Sequence, residues 1–219
     1  MLFRSGSPHF WVHLGPARRY TVHLIPQGAA ITVTAANLNI APAWRDSLAE
    51  AGLDSLDSLL ALGRGRLLSS HARGWVREVE LAGGQVVYVK CALRTKLKQI
   101  ASDLARFGRP QPLPEKERQG IRHVQSLGIA APEVIAWGQR RRLGLPWQAA
   151  LVMGPLAGQP IHQCLRALDP VARTEALDAA AQVVAQIRRA GLWWPGLRIK
   201  HIYLDTRGQI GRASCRERV

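Results

Sequence analysis

The chain has 219 residues, is 47% hydrophobic, and carries 30 Lys and Arg against 15 Asp and Glu, a formal net charge of +15. That length and apolar content suit one packed domain or slightly more, and exclude a disordered chain or a small disulfide scaffold. No apolar run nears the roughly 18 residues of a membrane-spanning helix. The positive charge leaves anionic partners open, whether phosphates, nucleic acid or an acidic lipid surface. Arg outnumbers Lys by 25 to 5 and Ala is abundant; a GC-rich genome produces the same bias, so charge alone selects no partner.

Both ends read as translated adapter DNA. Residues 210–219, IGRASCRERV, are what ATCGGAAGAGCGTCGTGTAGGGAAAGAGTG encodes, a string that looks like a common sequencing adapter. Residues 2–5, LFRS, are what CTCTTCCGATCT encodes, the reverse complement of the adapter's opening bases. Residues 1–5 and 210–219 are therefore set aside like a tag. They are expected to have no packed role, and both natural ends are expected to be missing. Without Arg4, Arg212, Arg216, Glu217 and Arg218 the net charge falls to about +12. Cys215 goes with the tail. Cys91 and Cys164 remain, a distant pair with no CxxC spacing, so neither a metal motif nor a disulfide framework is indicated and a reducing compartment is the expectation.

Residues 6–38 give no clear element. They could be translated upstream DNA, with a native start at an alternative codon such as those for Val33 or Leu38. From Pro42 the pattern becomes regular. AWRDSLAEAG places Trp44, Leu48 and Ala51 on one helix face, and Gly52 ends it. Asp54 is placed to cap a second helix, LDSLLAL, with Leu56, Leu59 and Leu60 apolar. RGRLLSSHARGWV reads as a glycine-bearing loop between strands. WVREVEL and QVVYVK are β-rich runs separated by Ala82-Gly83-Gly84, a hairpin signal. RTKLKQIASDLARFGRPQP is basic and reads as a mobile connection containing at most a short helix.

EKERQGIRHVQSLG predicts a helix ending at Gly128, with Glu117, Ile121 and Val124 on one stripe. PEVIAWG and WQAALVM predict two strands joined by a basic turn, Gln139 to Arg142, and Gly154-Pro155 breaks the second. A helical region follows. ARTEALDAAAQVVAQIRRAG is a long helix stopped by Gly191. LWWPGLRIKHIYLD is a loop running into a short strand. No RNA- or DNA-binding motif and no aromatic platform is visible, so nucleic acid is not the expected partner.

Phosphoryl transfer needs a cation on the nucleotide phosphates, a carboxylate that holds the cation, metal ligands, and in kinases a carboxylate for the acceptor hydroxyl. Lys90 ends the strand run VVYVK. Glu117 lies on the apolar face of its helix, where an unpaired charge is costly and a partner is required. Lys90 is the candidate partner, and the two are expected within salt-bridge distance. Arg73 and Gly74, in the loop ahead of WVREVEL, are candidates to lie over phosphates. The match to GxGxxG or to a Walker loop is absent. GPLAG, Gly154 to Gly158, is placed to act as a hinge.

The ordered set WRDSLAEAGLDSLDSLLAL, VVYVK, ERQGIRHVQSLGIAAPEVIAWG, ALVMGPLAG and KHIYLD resembles the lipopolysaccharide core kinases, the Kdo kinase, WaaP and InaA-like group. The resemblance runs from about Asn39 to Gly208, and GIAAPEVIAWG and KHIYLD are its sharpest pieces. It implies an α+β, protein-kinase-like fold: an N-lobe of antiparallel sheet and one packed helix over 39–153, then a hinge and partial helical C-lobe over 154–209. It implies ATP and Mg²⁺ as cofactors and a sugar hydroxyl of the lipopolysaccharide inner core as acceptor. The expected place is the cytoplasm, peripheral at the anionic surface of the inner membrane. By position, Lys90 matches the family's ATP lysine, Glu117 its helix partner, and His201 a residue near the metal.

Two departures accompany the resemblance. The catalytic-loop aspartate belongs five residues before His201, and that residue is Gly196. Gly has no carboxylate to accept the acceptor's proton. An aspartate codon lies one base from a glycine codon, so a read error or a natural pseudokinase would each give this chain. The metal-binding aspartate of the DFG-like segment belongs just past Ile210, where the adapter begins, and Asp205 is a poor substitute. The chain as it stands is therefore expected to be inactive, with kinase activity in its full-length parent. The alternatives are a nucleotide-binding pseudokinase and a kinase of the same fold acting on another small molecule or a protein.

Overall fold

One strand, β4 (Val86–Ala92), organises the molecule. The structure is a computed structural model that describes residues 38–105, 108–192, 199–204 and 210–212. Along β4, Val87, Val89 and Cys91 are buried while Tyr88, Lys90 and Ala92 are half-buried, because successive side chains leave a strand on opposite faces. On one side β4 pairs with β3 (Gly74–Glu80), and β3 with β2 (Arg66–His71). On the other it pairs with β6 (Leu145–Met153), then come β5 (Val134–Arg142) and β1 (Leu38–Ile40). The result is a six-stranded antiparallel sheet ordered β1-β5-β6-β4-β3-β2.

Each face of this sheet has its own helical cover. Two short helices, α1 (Arg45–Glu50) and α2 (Leu56–Leu60), put Leu48, Leu53, Leu56 and Leu59 against Val79, Val87, Val89, Ile135 and Val152. Trp44 fastens the pair by donating its indole N–H to Glu133 Oε1 at 2.9 Å. The opposite face receives α4 (Leu113–Ser126), whose Ile121 packs on Leu151 and Met153. A further helix, α3 (Leu97–Ala105), joins β4 to α4. Beyond β6 the chain passes through Gly154–Gly158 to a second sheet of β7 (Gln159–Pro160), β8 (Ile202–Leu204) and β9 (Ile210–Arg212), with α5 (Ile161–Cys164) and α6 (Pro170–Arg189). Asp169 caps α6 by accepting from the amides of Val171 and Ala172, and Pro170 fits the first helical position, where no amide is needed.

The architecture is the expected α+β, kinase-like sheet with a packed helix, and several local expectations are corrected. The cap of α2 is Ser55: its hydroxyl accepts from the Ser58 amide, and Ser58 returns the bond in a capping box. Asp54 sits one position too early. RLLSSH, expected as loop, is strand β2. Its edge position asks for no buried side, so it lacks the alternation that marks the inner strands. The expected turn Gln139–Arg142 is the end of β5, and the reversal falls at Leu143–Gly144. The basic connection contains the short helix allowed for it, α3, and Asp103 on α3 receives Lys116 of α4 with Nζ 2.8 Å from both carboxylate oxygens.

Residues 210–212, expected to have no packed role, pair with β8. The expectation fails for these three residues, because strand pairing is made by backbone groups that every non-proline residue carries. Residues 1–37 and 213–219 lie outside the described residues, and so does Gly196.

The cap gives a direct check. Ser55→Ala should lower stability by about 1 kcal/mol, whereas Asp54→Ala should change it by less than about 0.5 kcal/mol, both read from urea unfolding midpoints.

Candidate active site

The second face of β4 carries the chemistry. Lys90 leaves the strand toward α4, and its Nζ lies 2.5 Å from Glu117 Oε2. Their side chains are 13% and 11% exposed. At that depth a lone charge is costly and each stabilises the other. Glu117 shares its helix face with Ile121, which is buried on the sheet, so the sequence places the carboxylate over β4 and not toward solvent. The pair therefore has the separation expected of it, on a strand and on the helix packed over that strand.

Several contacts fix α4 in this position. Lys116 binds Asp103, and the Gln111 amide donates to Asp103 Oδ2 at 3.4 Å. Gln99 Nε2 donates to the Gln111 carbonyl at 3.0 Å, and Arg141 Nη2 donates to Gln111 Oε1 at 2.9 Å. The start of α4 is thus held by α3 on one side and by β5 on the other. Farther along, Arg118 pairs with Glu115, and both Arg118 and Arg122 lie over the Trp137 ring at 4.9 Å. Apart from the Arg118–Glu115 pair, which lies at i,i+3 on one helix, these supporting contacts join residues far apart in sequence or a charge to a ring, and no sequence pattern marks them.

Tyr88 shares the Lys90 face. Burial raises its hydroxyl pKa most, the Glu78 carboxylate beside it next, and Tyr203 adds to the effect. Tyr203 lies two residues past His201 on β8, so the His201 segment approaches the same face of the sheet. His201 itself is 3% exposed, at the end of a single 3-10 turn, Ile199–His201, that leads into β8.

Arg73 lies in the two-residue turn between β2 and β3, where its amide is 3.1 Å from His71 Nδ1. Gly74 opens β3, and a Cβ there would collide with the Cys91 carbonyl. Close approach of β3 to β4 is enough to require glycine at this position.

A cation held by a carboxylate fits a polyphosphate, because an ammonium has three donors. The described residues do not by themselves fit a resident Mg²⁺. Among them no group of three or more His, Cys, Asp or Glu side chains comes together, and His201 is a single candidate ligand.

An antiparallel sheet with an inner-strand lysine paired to a glutamate on the covering helix defines the class as protein-kinase-like. The family model described as the lipopolysaccharide kinase (Kdo/WaaP) family matches residues 64–215, more than half of the chain. The chain belongs to the lipopolysaccharide kinase family. The match starts after α1 and α2, which the sequence resemblance includes. Among solved structures, the chain is similar to WaaP in complex with acyl carrier protein, with a TM-score of 0.59 and 20% identity over 81% of this chain and 70% of that one. At that identity the likeness shows the fold. The pseudokinase domain of BIR2, an immune regulator of the RLK/Pelle family, gives a TM-score of 0.42 and 14% identity over 77% of this chain and 46% of that one, too distant to argue from. No curated protein matches.

Lys90→Met and Glu117→Leu should each destabilise the fold by about 3 kcal/mol, because each takes a close charge partner from a group that is nearly buried. The double variant should be more stable than either single one, read from denaturant midpoints. Burial pushes the Cys91 thiol pKa far up, so the thiolate is scarce at neutral pH. Iodoacetamide on the native protein should modify half-buried Cys164 well before Cys91, as read by peptide mass spectrometry.

Proposed function

We propose that the full-length parent of this chain transfers the γ-phosphoryl group of ATP to a sugar hydroxyl of the lipopolysaccharide inner core, working at the cytoplasmic face of the inner membrane. The observation that carries the reading is the Lys90–Glu117 pair on the covered face of the sheet. Lys90 holds the nucleotide phosphates, and Glu117 keeps the ammonium aimed. The turn at Arg73 and Gly74 borders the phosphates, and the Gly154–Gly158 segment joins the lobes beside the nucleotide. His201, buried on the turn that leads into β8, is the one further site residue that the family resemblance points to. The similar WaaP structure is a complex with acyl carrier protein; for this chain such a carrier is a candidate partner and no more.

Gly196 decides what the chain does in its present form. An acceptor hydroxyl becomes a better nucleophile as its proton is drawn off, and a positioned carboxylate contributes orders of magnitude to that step. Gly196 offers none, so the chain with glycine is proposed to be inactive. The same residue favours a second reading, a pseudokinase that binds nucleotide without transferring phosphate.

Two forms of the full-length parent separate these readings, one with Gly196 and one with Gly196→Asp, each given ATP, Mg²⁺ and purified lipopolysaccharide core. Phosphate incorporation by the aspartate form alone, at least about a hundredfold above the glycine form, supports the kinase reading. Equal incorporation by both places the catalytic group elsewhere. ATP binding with no incorporation by either form, across core acceptors from several truncation mutants, supports the pseudokinase.

A further inference from the structure

One end of the six-stranded sheet gathers exposed apolar and cationic side chains. There the β5–β6 reversal meets the start of the β4–α3 connection, because the Thr95 amide donates to the Trp147 carbonyl at 3.1 Å. Leu97 is 80% exposed and Leu143 59% exposed, and Leu145 is exposed as well. Arg94 and Arg142 lie over the Trp147 ring at 5.4 and 5.8 Å. Lys96 and Lys98 are exposed beside Leu97. Neither stretch, 91–102 or 134–149, contains an Asp or Glu. Arg140 is excluded from the group, since it is engaged by Asp57 and Gln148.

The reversal itself adds an independent observation. Leu143 has φ 51, and among the described residues no other non-glycine residue has a positive φ. Gly144 follows at φ 74. A two-residue hairpin turn of this kind favours Asn-Gly or Asp-Gly, because a branched apolar side chain is strained at positive φ. A leucine held there against its conformational preference, and pointed at solvent, is explained neither by packing nor by the turn.

Exposed leucines ringed by Lys and Arg, with a tryptophan at their border, match an interface of anionic headgroups over an acyl region. A nucleic acid would use the cations and leave the leucines in water. We propose that this end of the sheet docks on an anionic phospholipid surface, with Arg94, Lys96, Lys98 and Arg142 against the headgroups and Leu97 and Leu143 inserted below them. The proposal deepens the reading of a membrane-borne acceptor and rests on it for orientation, while its test reads binding and not phosphorylation. The Arg73 carbonyl accepts from the Leu93 amide at 2.8 Å, so the β2–β3 turn borders the docking end and would be carried toward the membrane with it.

Co-sedimentation of the full chain with phosphatidylcholine vesicles, and with vesicles that also contain phosphatidylglycerol, tests the surface. Binding is expected to the anionic vesicles alone and should weaken as salt rises. Leu143→Asn suits the turn better than leucine, so it should fold at least as well, and it should weaken binding about tenfold through lost insertion. The pair Lys96→Glu and Lys98→Glu should weaken it by more than about tenfold. Arg166→Glu, an exposed charge on another element, should leave it unchanged.

Equal binding to neutral vesicles, unchanged binding by Leu143→Asn, or an equal loss with Arg166→Glu would overturn the proposal. So would a chain that ignores vesicles and binds an acidic protein such as acyl carrier protein, with Leu143→Asn and the lysine pair weakening that complex. None of these outcomes bears on whether the Gly196→Asp form phosphorylates core sugar, so the two readings fail separately.

Discussion

A lysine and a glutamate nearly closed off between a strand and a helix must stay together, and that requirement governs this molecule. Lys90 reaches Glu117 only if β4 keeps its register. A slip of one residue would exchange the faces. Lys90 would then enter the core formed with Leu48, Leu56 and Leu59, and Val89 and Cys91 would face α4. The leucine core on the far side is thus what aims the lysine. Val87, Val89 and Cys91 are held there by apolar burial, which leaves Tyr88 and Lys90 no face but the one under α4. Burial supplies the driving force, at about 25 cal/mol per Å² of apolar surface. The ion pair contributes position more than stability.

The helix end of the pair needs its own restraint. α4 presents only Pro114, Gly120, Ile121 and Val124 as buried residues over fourteen, a thin apolar stripe for a helix with so many charges. The Asp103–Lys116 pair and the Gln111 contacts compensate by holding its first turns between α3 and β5. Lys116 and Glu117 are neighbours with opposite duties: one faces α3 and fixes the helix, the other faces β4 and meets Lys90. About a hundred degrees of helix rotation separates them, which lets adjacent residues serve different partners.

Much of this was legible in the sequence, and the misses have physical reasons. Alternation in VVYVK and the Glu117-Ile121-Val124 stripe report burial directly, so β4, α4 and the pair between them could be read. Gly191 marks the end of α6 by local chemistry alone, whereas its start, capped by Asp169 with Pro170 in the first position, lies two residues before the predicted Ala172. By contrast, β2 is an edge strand whose residues alternate with nothing, and α3 owes its order to Asp103, whose partner lies thirteen residues on. Ser55 outcompeted Asp54 as a cap because the capping box needs Ser58 three residues later, a reciprocal bond that residue preference alone does not show. The strand at 210–212 is a miss of the same kind: pairing with β8 asks only for backbone, which no residue pattern reports.

The two covers of the sheet carry different kinds of information. The family match begins at residue 64 and takes in the face with Lys90 and Glu117, where spacing and charge fit the proposed phosphate site. α1 and α2 lie before it. Their task is to bury the other face, and any pair of helices with leucines at suitable spacing could do so. A resemblance through WRDSLAEAGLDSLDSLLAL is therefore weaker evidence of chemistry than one through VVYVK, even though the first segment contributes more of the core. The turn at Leu143 belongs to neither class. Packing does not ask for leucine there, and backbone geometry disfavours it, which is why the proposed docking surface includes it. With the β2–β3 turn bordering that end of the sheet, a surface bound there would sit beside the phosphate-facing part of the site. The proposed membrane-borne acceptor would need the two in that relation, since neither the sugar nor the sheet could travel far to meet the other.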